Sequence, residues 1–140
     1  MTIHNVSSVY ETPPFEMTAS QDFLNICIMG KTELDPFEFL GKCKEIETNQ
    51  GRSKDEGKMG FQSRPIDIDI LFYGSEIISS EVLKIPHPEL TRRNFVLNPL
   101  NDIAPDYIHP EVKKPISLLL TELADNSKIE RIAQQILRNK

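Results

Sequence analysis

The chain has 140 residues, 39% of them hydrophobic, which suits one globular domain spanning 1–140 that buries its own core. Its 16 basic and 21 acidic residues argue against a protein that binds nucleic acid through a general basic surface, although a nucleotide site needs only a few cations. No apolar run reaches about 18 residues and the N-terminus does not resemble a signal peptide, so we expect a soluble cytoplasmic protein with no membrane partner. Cys27 and Cys43 lie within apolar patterns, and we expect buried free thiols rather than metal ligands.

Two strands and a helix are predicted in the first third of the chain. Residues 6–12 are rich in β-branched and aromatic side chains and end at two prolines, and residues 23–31 alternate between two faces. Asp35 then has the character of a helix N-cap, with Pro36 at the first helical position and Glu38 completing a capping box. Apolar residues at helical spacing continue this helix, which we expect to end at Gly51: Phe39, Leu40, Cys43 and Ile46.

The remaining chain alternates between loops and regular elements. Residues 52–63 combine charges and glycines without periodicity, as is typical of a mobile loop, and a strand is predicted over 65–73. Residues 85–110 contain five prolines and predict loops and short turns, and two helical patterns follow at 115–124 and 128–138. Strands with one buried face favour an antiparallel sheet backed by helices, so the predicted class is α+β.

Two aspartates on the strand at 65–73 are the strongest indication of chemistry. Asp67 and Asp69 share one face of that strand, opposite an isoleucine stripe, with α-carbons about 6.6–7 Å apart. Two neighbouring carboxylates repel one another, and a divalent cation relieves that repulsion; Mg²⁺ takes one or two carboxylates together with water and phosphate oxygens. The alternative is a solvated strand face on which aspartates happen to alternate.

The residues around this pair favour phosphoryl-type transfer over that alternative. Cations bracket the loop before the strand and follow it: Arg52, Arg64, His87, Arg92 and Arg93. Phe23, Asn25 and Phe95 could supply an aromatic slot and an amide for a flat heterocycle, although each alone is more often a packing or surface residue.

Several motifs in this order resemble the 6-hydroxymethyl-7,8-dihydropterin pyrophosphokinase family. They are YETPP, FLN, E-x-x-x-GR, R-x-x-D-I-D-I-L-F-Y and IPHP-x-L-x-x-R-x-F-V-L-x-P-L-x-x-I-A-P, and they cover about Val6 to Pro110. The resemblance implies a ferredoxin-like fold and transfer of diphosphate from ATP, the co-substrate, to the hydroxymethyl group of the pterin, releasing AMP in folate biosynthesis. It also implies small-molecule partners only, and we expect a monomer.

The resemblance implies a role for each residue that matches its motifs. Asp67 and Asp69 would bind two Mg²⁺ ions, while Arg52 and Arg64 would stabilise phosphate charge during catalysis. The pterin would contact Thr12, Phe15, Phe23, Asn25 and Phe95. ATP would contact Glu47, Ile70, His87 and Arg93. The loop at 52–63 would close over ATP and exclude water.

The sequence departs from the family pattern in the loop, at single positions and at its start. The loop lacks a further arginine and the Trp-Gly-Pro of the family, Phe23 replaces a frequent tyrosine, and Pro88 follows His87 where an aromatic often lies. The family normally opens with a strand, a Gly-Ser-Asn-Leu-Gly turn and a helix before the first motif seen here. We therefore expect a marginally stable or incompletely folded chain, and interpret the start as a misassigned codon or a fragment rather than a shortened enzyme.

Two other functions remain open from the sequence. A catalytically impaired member of the family would bind pterin or nucleotide without turnover. An unrelated ferredoxin-like two-metal enzyme, such as a nucleotide cyclase, also uses alternating acidic residues, but it would leave the Thr12 to Asn25 segment and the IPHP motif without a role.

Overall fold

The computed structural model describes residues 1–12, 23–50, 66–125 and 129–133. The chain divides into two compact units: unit 1 comprises Met1–Lys31 and Pro88–Lys140, and unit 2 comprises Thr32–His87. The predicted loop at 52–63 lies outside the described residues.

Unit 1 contains antiparallel strands at both positions where the sequence predicts them. Strand β1 (Thr2–Val6) pairs with β4 (Ile28–Lys31), and β2 (Val9–Thr12) pairs with β3 (Phe23–Asn25). The predicted strand at 6–12 is confirmed over Val9–Thr12 and that at 23–31 is confirmed apart from residues 26–27. Residues 7–8 interrupt the first strand, and the start of β1 at residues 2–5 was not predicted.

Ser7 holds the two strand pairs together at this interruption. Its backbone N–H donates to the carbonyl of Cys27 at 2.8 Å, while the Cys27 N–H donates to the Ser7 hydroxyl, also at 2.8 Å. A side-chain oxygen thus replaces the backbone carbonyl that a regular ladder would use. Cys27 and Cys43 are both buried free thiols, as predicted, and burial raises the pKa of the Cys27 thiol to about 11.

The predicted helix at 128–138 is wrong over its described part. Residues Glu130–Ala133 form strand β7, which pairs antiparallel with the second edge of β2. Pairing with an available strand edge satisfies backbone groups over a long sequence distance, and this overrides a helical periodicity read locally.

The expectation of loops and turns over 85–110 is also wrong in part. Helix α2 (Asn94–Ile103) forms there although Pro99 lies inside it. Asp125 accepts the Asn94 N–H at 3.1 Å and so caps the helix from a distance, and a buried apolar face stabilises it. Helix α3 (Ile116–Glu122), within the predicted 115–124, packs against α2. Buried apolar residues of unit 1 include Val6, Tyr10, Leu90, Leu97, Leu100, Ile103, Ile116 and Leu119.

Unit 2 begins with the predicted helix. In α1 (Pro36–Asn49) the Asp35 carboxylate accepts the Glu38 N–H at 2.8 Å and the Glu38 carboxylate accepts the Asp35 N–H at 3.0 Å, which confirms the capping box. The short strands β5 (Ile78–Ser79) and β6 (Lys84–Ile85) form an antiparallel hairpin. The Ile85–Pro86 peptide bond is cis.

The predicted strand at 65–73 is wrong for residues 66–73, which have no regular secondary structure. A strand requires a partner, and none of the described strands pairs with this segment. Residues 70–73 are all half-buried, whereas Asp67 and Asp69 are exposed on either side of half-buried Ile68. Helices together with antiparallel strands nevertheless confirm the α+β class, and among the described residues no helix is long and apolar enough to cross a membrane.

His109 organises a turn in unit 1 as a neutral acceptor. Its Nδ1 accepts the backbone N–H groups of Glu111 and Val112, each at 3.1 Å. Burial lowers the pKa of the imidazole below its usual 6.5, and the Glu111 carboxylate only partly opposes this. Protonation of Nδ1 would turn this acceptor into an N–H donor, which would then face the two backbone N–H donors.

We predict that stability falls in mild acid because of His109. The pKa of His109 is lower in the folded than in the unfolded chain, so the unfolded chain binds the proton first as the pH falls. The contribution of neutral His109 to the free energy of unfolding is therefore complete above pH 6.5 and is lost as the pH falls below it. Urea unfolding at pH about 7.5 and about 5 measures the loss. His109→Asn keeps an accepting oxygen and should reduce the pH dependence, whereas the exposed control His4→Asn should not. An equal pH dependence in both variants would contradict the assignment.

Candidate functional site

The predicted pterin residues Thr12 and Asn25 lie side by side in unit 1. Strands β2 and β3 are antiparallel with Thr12 opposite Phe23 and Tyr10 opposite Asn25. The Asn25 amide donates to the Thr12 hydroxyl at 3.3 Å, where Thr12 is buried and Asn25 is half-buried. A side-chain amide and a hydroxyl thus adjoin, as recognition of a heterocycle edge requires.

The predicted aromatic residues are only partly described. Phe95 lies in the first turn of α2 and is half-buried, and α2 packs against both β2 and β3. For Phe23 the structure describes the backbone in β3 but not the side chain, and Phe15 lies outside the described residues. The elements carrying Thr12, Asn25 and Phe95 are therefore in contact with one another.

Arg93, a predicted ATP contact, is held by an ion pair within unit 1. It is the N-cap of α2, and its Nε donates to the Glu89 carboxylate at 3.0 Å. Arg92 donates to the same carboxylate, and the two guanidinium groups lower the pKa of Glu89. The pairing orients Arg93 but does not remove its charge from the surface.

In unit 2, side-chain and backbone contacts hold the irregular segment 66–73 in place. The Glu47 carboxylate on α1 accepts the Ile68 N–H at 2.7 Å, and the Leu71 carbonyl accepts the His87 N–H at 3.0 Å. The Tyr73 hydroxyl donates to the Leu34 carbonyl, and the Tyr73 ring meets that of Phe39 edge-on with centroids 6.2 Å apart. Side-chain and loop contacts thus replace the sheet pairing that the sequence predicts.

The two aspartates lie on either side of Ile68, whose N–H is bound by Glu47. Asp67 and Asp69 are exposed on either side of half-buried Ile68, and the Asp69 carboxylate lies 4.0 Å from Nε2 of His87. Ile70, another predicted ATP residue, is half-buried. No group of three or more His, Cys, Asp or Glu residues able to hold a metal occurs among the described residues. A cation here would therefore need oxygen ligands from a bound molecule in addition to the two carboxylates.

Glu47 differs from an ordinary helix glutamate in its burial. Its side chain is 5% exposed, and Oε1 has no hydrogen-bond partner within the described part of the protein. Nζ of the exposed Lys44 is 4.0 Å from that oxygen. A buried carboxylate oxygen without a donor can accept an N–H or O–H from a ligand.

Two further contacts were not predicted from the sequence. The Asp102 carboxylate on α2 accepts from Tyr10 on β2 and from Ser8 just before it, and the Tyr73 hydroxyl holds the end of segment 66–73. Asp102 lies between the buried positions Leu100 and Ile103. An acidic residue beside core positions indicates that its carboxylate accepts a hydrogen bond within the protein. The predictions for Arg52 and Arg64 fall outside the described residues and stay predictions.

Comparison with known proteins agrees with the resemblance. The sequence model of the family described as 7,8-dihydro-6-hydroxymethylpterin-pyrophosphokinase matches residues 1–105. The chain is 42% identical over 116 residues to the 2-amino-4-hydroxy-6-hydroxymethyldihydropteridine pyrophosphokinase of Aquifex aeolicus, covering 83% of this chain and 71% of that protein.

Longer relatives share the same region. The folate synthesis bifunctional protein of Arabidopsis thaliana is 42% identical over 123 residues, covering 88% of this chain and 22% of the relative. A mitochondrial folate synthesis bifunctional protein of the same plant is 48% identical over 97 residues, covering 69% of this chain and 17% of the relative. The match over residues 1–105, together with the similarity to the Aquifex protein, shows that this chain belongs to the 7,8-dihydro-6-hydroxymethylpterin-pyrophosphokinase family.

Proposed function

We propose that this chain transfers diphosphate from ATP to the hydroxymethyl group of 6-hydroxymethyl-7,8-dihydropterin and releases AMP, as a step of folate biosynthesis. The observation that carries the proposal is the family match over residues 1–105, which includes both aspartates and the pterin residues. The proposal includes a ferredoxin-like arrangement of the sheet, a monomer and a cytoplasmic location.

The pterin is assigned to the residues that β2, β3 and α2 bring together. The Thr12 backbone and side chain and the Asn25 amide would form hydrogen bonds with the polar edge of the ring, while Phe95 would stack on its face with Phe23. Phe15 would complete the lining. Support comes from the packing of α2 on β2 and β3, which places these elements in one unit.

Two magnesium ions are assigned to Asp67 and Asp69. The donor set fits, since both carboxylates are exposed and separated by one residue, and phosphate oxygens and water would complete the coordination. When bound, the ions would neutralise phosphate charge and polarise the phosphoryl oxygens. The fastening of Ile68 by Glu47 would keep the two carboxylates in place before any ligand arrives.

ATP is assigned to Glu47, Ile70, His87 and Arg93, with Arg52 and Arg64 on the transferring phosphates. The buried Oε1 of Glu47 can accept a nucleotide N–H or O–H, and Ile70 can pack on the base. The hydroxymethyl oxygen would attack the β-phosphorus; the bond from that phosphorus to the α-bridging oxygen breaks, AMP leaves with its electron pair, and the hydroxyl proton passes to solvent. Positioning and charge neutralisation would supply most of the catalysis.

The first test measures AMP formation with ATP, Mg²⁺ and the hydroxymethylpterin. We predict that the chain forms AMP and that Asp67→Asn or Asp69→Asn lowers kcat/KM about a thousandfold, because losing a metal ligand removes several kcal/mol of charge stabilisation. The exposed control Asp106→Asn should retain the wild-type rate. Wild-type rates in either aspartate variant would refute the metal assignment, and ligand binding without AMP would favour the impaired binding protein.

The second test separates the two substrates. We predict that Asn25→Ala weakens pterin binding roughly ten- to thirtyfold, the effect of leaving one ligand polar group unpaired, and leaves the affinity for a non-hydrolysable ATP analogue unchanged. Titration calorimetry with each ligand alone measures both affinities, with the exposed Asn49→Ala as control. Equal weakening of both ligands would contradict the pterin assignment.

The third test distinguishes the roles of the two carboxylate oxygens of Glu47. Glu47→Ala removes the acceptor of the Ile68 N–H and should lower the free energy of unfolding by about 1–3 kcal/mol. Glu47→Gln keeps one acceptor for that N–H but places a donor at the second position, so we predict near wild-type stability with weaker binding of the ATP analogue. Glu45→Gln, on the exposed face of α1, is the control. Wild-type ATP affinity in Glu47→Gln would remove the nucleotide contact.

A further inference from the structure

The Asp102 carboxylate joins α2 to β2 by accepting the Tyr10 hydroxyl, and it also accepts the backbone N–H of Ser8, just before β2. The Tyr10 hydroxyl lies 2.9 Å from each carboxylate oxygen, and the Ser8 backbone N–H donates to Oδ2 at 3.2 Å. Ser8 and Tyr10 are both buried, so these bonds form largely away from water. Hydrogen bonds to a carboxylate are charge-assisted, so they hold the two elements together more strongly than bonds between neutral groups would.

Tyr10 is suited to remain a donor in this arrangement. Burial and the bond to Asp102 raise the pKa of its hydroxyl, so it stays protonated at physiological pH. The guanidinium of the exposed Arg131 on β7 lies 6.0 Å from the centre of its ring, within reach of a cation–π contact.

On β2 the tie lies next to a proposed pterin residue. Tyr10 and Thr12 are two positions apart, so their side chains share one face of the strand and their α-carbons are about 6.6–7 Å apart. Thr12 is buried, and its hydroxyl accepts the Asn25 amide. Displacing β2 at Tyr10 would therefore displace both the Thr12 hydroxyl and the Asn25 amide.

On α2 the tie lies on the same helix face as the proposed ring-stacking residue. Phe95 precedes Asp102 by seven residues, which is almost two helical turns and about 10.5 Å along the axis. Asp102 thus connects the strand of Thr12 to the helix of Phe95, and its bonds fix the distance between the polar and aromatic sides of the proposed pocket.

We infer that Asp102 is a positioning residue for the pterin, which sets the separation of Phe95 from the Thr12–Asn25 pair without contacting the substrate. The inference rests on the proposed function for the identity of the ligand. Because a misplacement of about 1 Å in a positioning element can cost about a hundredfold in rate, a small shift of β2 relative to α2 would suffice to weaken the pterin site.

The test compares Asp102→Ala with a control that loses stability elsewhere in unit 1. The control is Ile116→Val, which shortens a fully buried side chain on α3, a helix that carries none of the proposed substrate residues. We expect Asp102→Ala to raise the Kd and KM for the pterin about ten- to a hundredfold, with the Kd of an ATP analogue unchanged. Ile116→Val should leave all three constants unchanged at a temperature where both variants are folded.

Two conservative variants keep the inference falsifiable if Asp102→Ala does not fold. In Asp102→Asn the amide oxygen can accept the Ser8 N–H and the amide nitrogen can donate to the Tyr10 oxygen, so most of the pterin affinity should return. Tyr10→Phe removes the hydroxyl donor but keeps the bond from Ser8, so it should give an intermediate loss of pterin affinity. Wild-type pterin affinity in both Tyr10→Phe and Asp102→Ala would overturn the inference, as would equal losses for pterin and ATP analogue.

The failure of the inference differs from the failure of the proposed function. A wild-type chain that forms AMP, with variants that bind pterin normally, overturns only the positioning role. A wild-type chain that neither binds the pterin nor forms AMP overturns both.

Discussion

The bond between the buried Glu47 carboxylate and the Ile68 N–H fixes the chain where its acidic residues lie. A carboxylate is buried at large cost unless it receives hydrogen bonds, so the position of this segment and the burial of Glu47 depend on each other. Helix α1 begins at a capping box and is regular up to Glu47, so the helix defines where that carboxylate stands. The spacing of Asp67 and Asp69 consequently needs no sheet partner.

In unit 1, too, a side-chain carboxylate accepts a backbone N–H group, at two places. Asp102 accepts the Ser8 N–H, and Asp125 accepts the Asn94 N–H at the start of α2. In each case a side-chain carboxylate holds a backbone donor in the segment of a proposed substrate residue: Ser8 precedes the strand of Thr12, and Asn94 precedes Phe95 directly. Charge-assisted bonds from side chain to backbone suit this task because they orient a chain segment without requiring a regular partner strand.

Sequence patterns predicted the elements that local chemistry determines. The capping box of α1 involves residues three positions apart and was predicted correctly. The alternation at 23–31 correctly indicated extended chain, but the aliphatic face of Leu24, Ile26 and Ile28 is exposed, so it did not report which side chains are buried. The strand at 65–73 and the helix at 128–138 were wrong because alternation and periodicity do not indicate which backbone partner is available. Helix α2 was missed because the penalty of Pro99 was weighed without the tertiary packing and the distant Asp125 that offset it.

The candidate site shows the same limit at the level of single residues. Motif order identified the family and named Thr12, Asn25 and the two aspartates, but it assigned Glu47 to the nucleotide alone. Glu47 follows the buried Cys43 by four residues, so helical geometry already places its carboxylate on the core side of α1. An acid on a buried helix face requires a donor, and the sequence cannot say whether that donor is a ligand or a backbone N–H of the same chain. One oxygen of Glu47 accepts the Ile68 N–H and the other has no hydrogen-bond partner within the described residues, so one carboxylate holds the segment of the aspartates and keeps an oxygen that the proposed function assigns to the nucleotide.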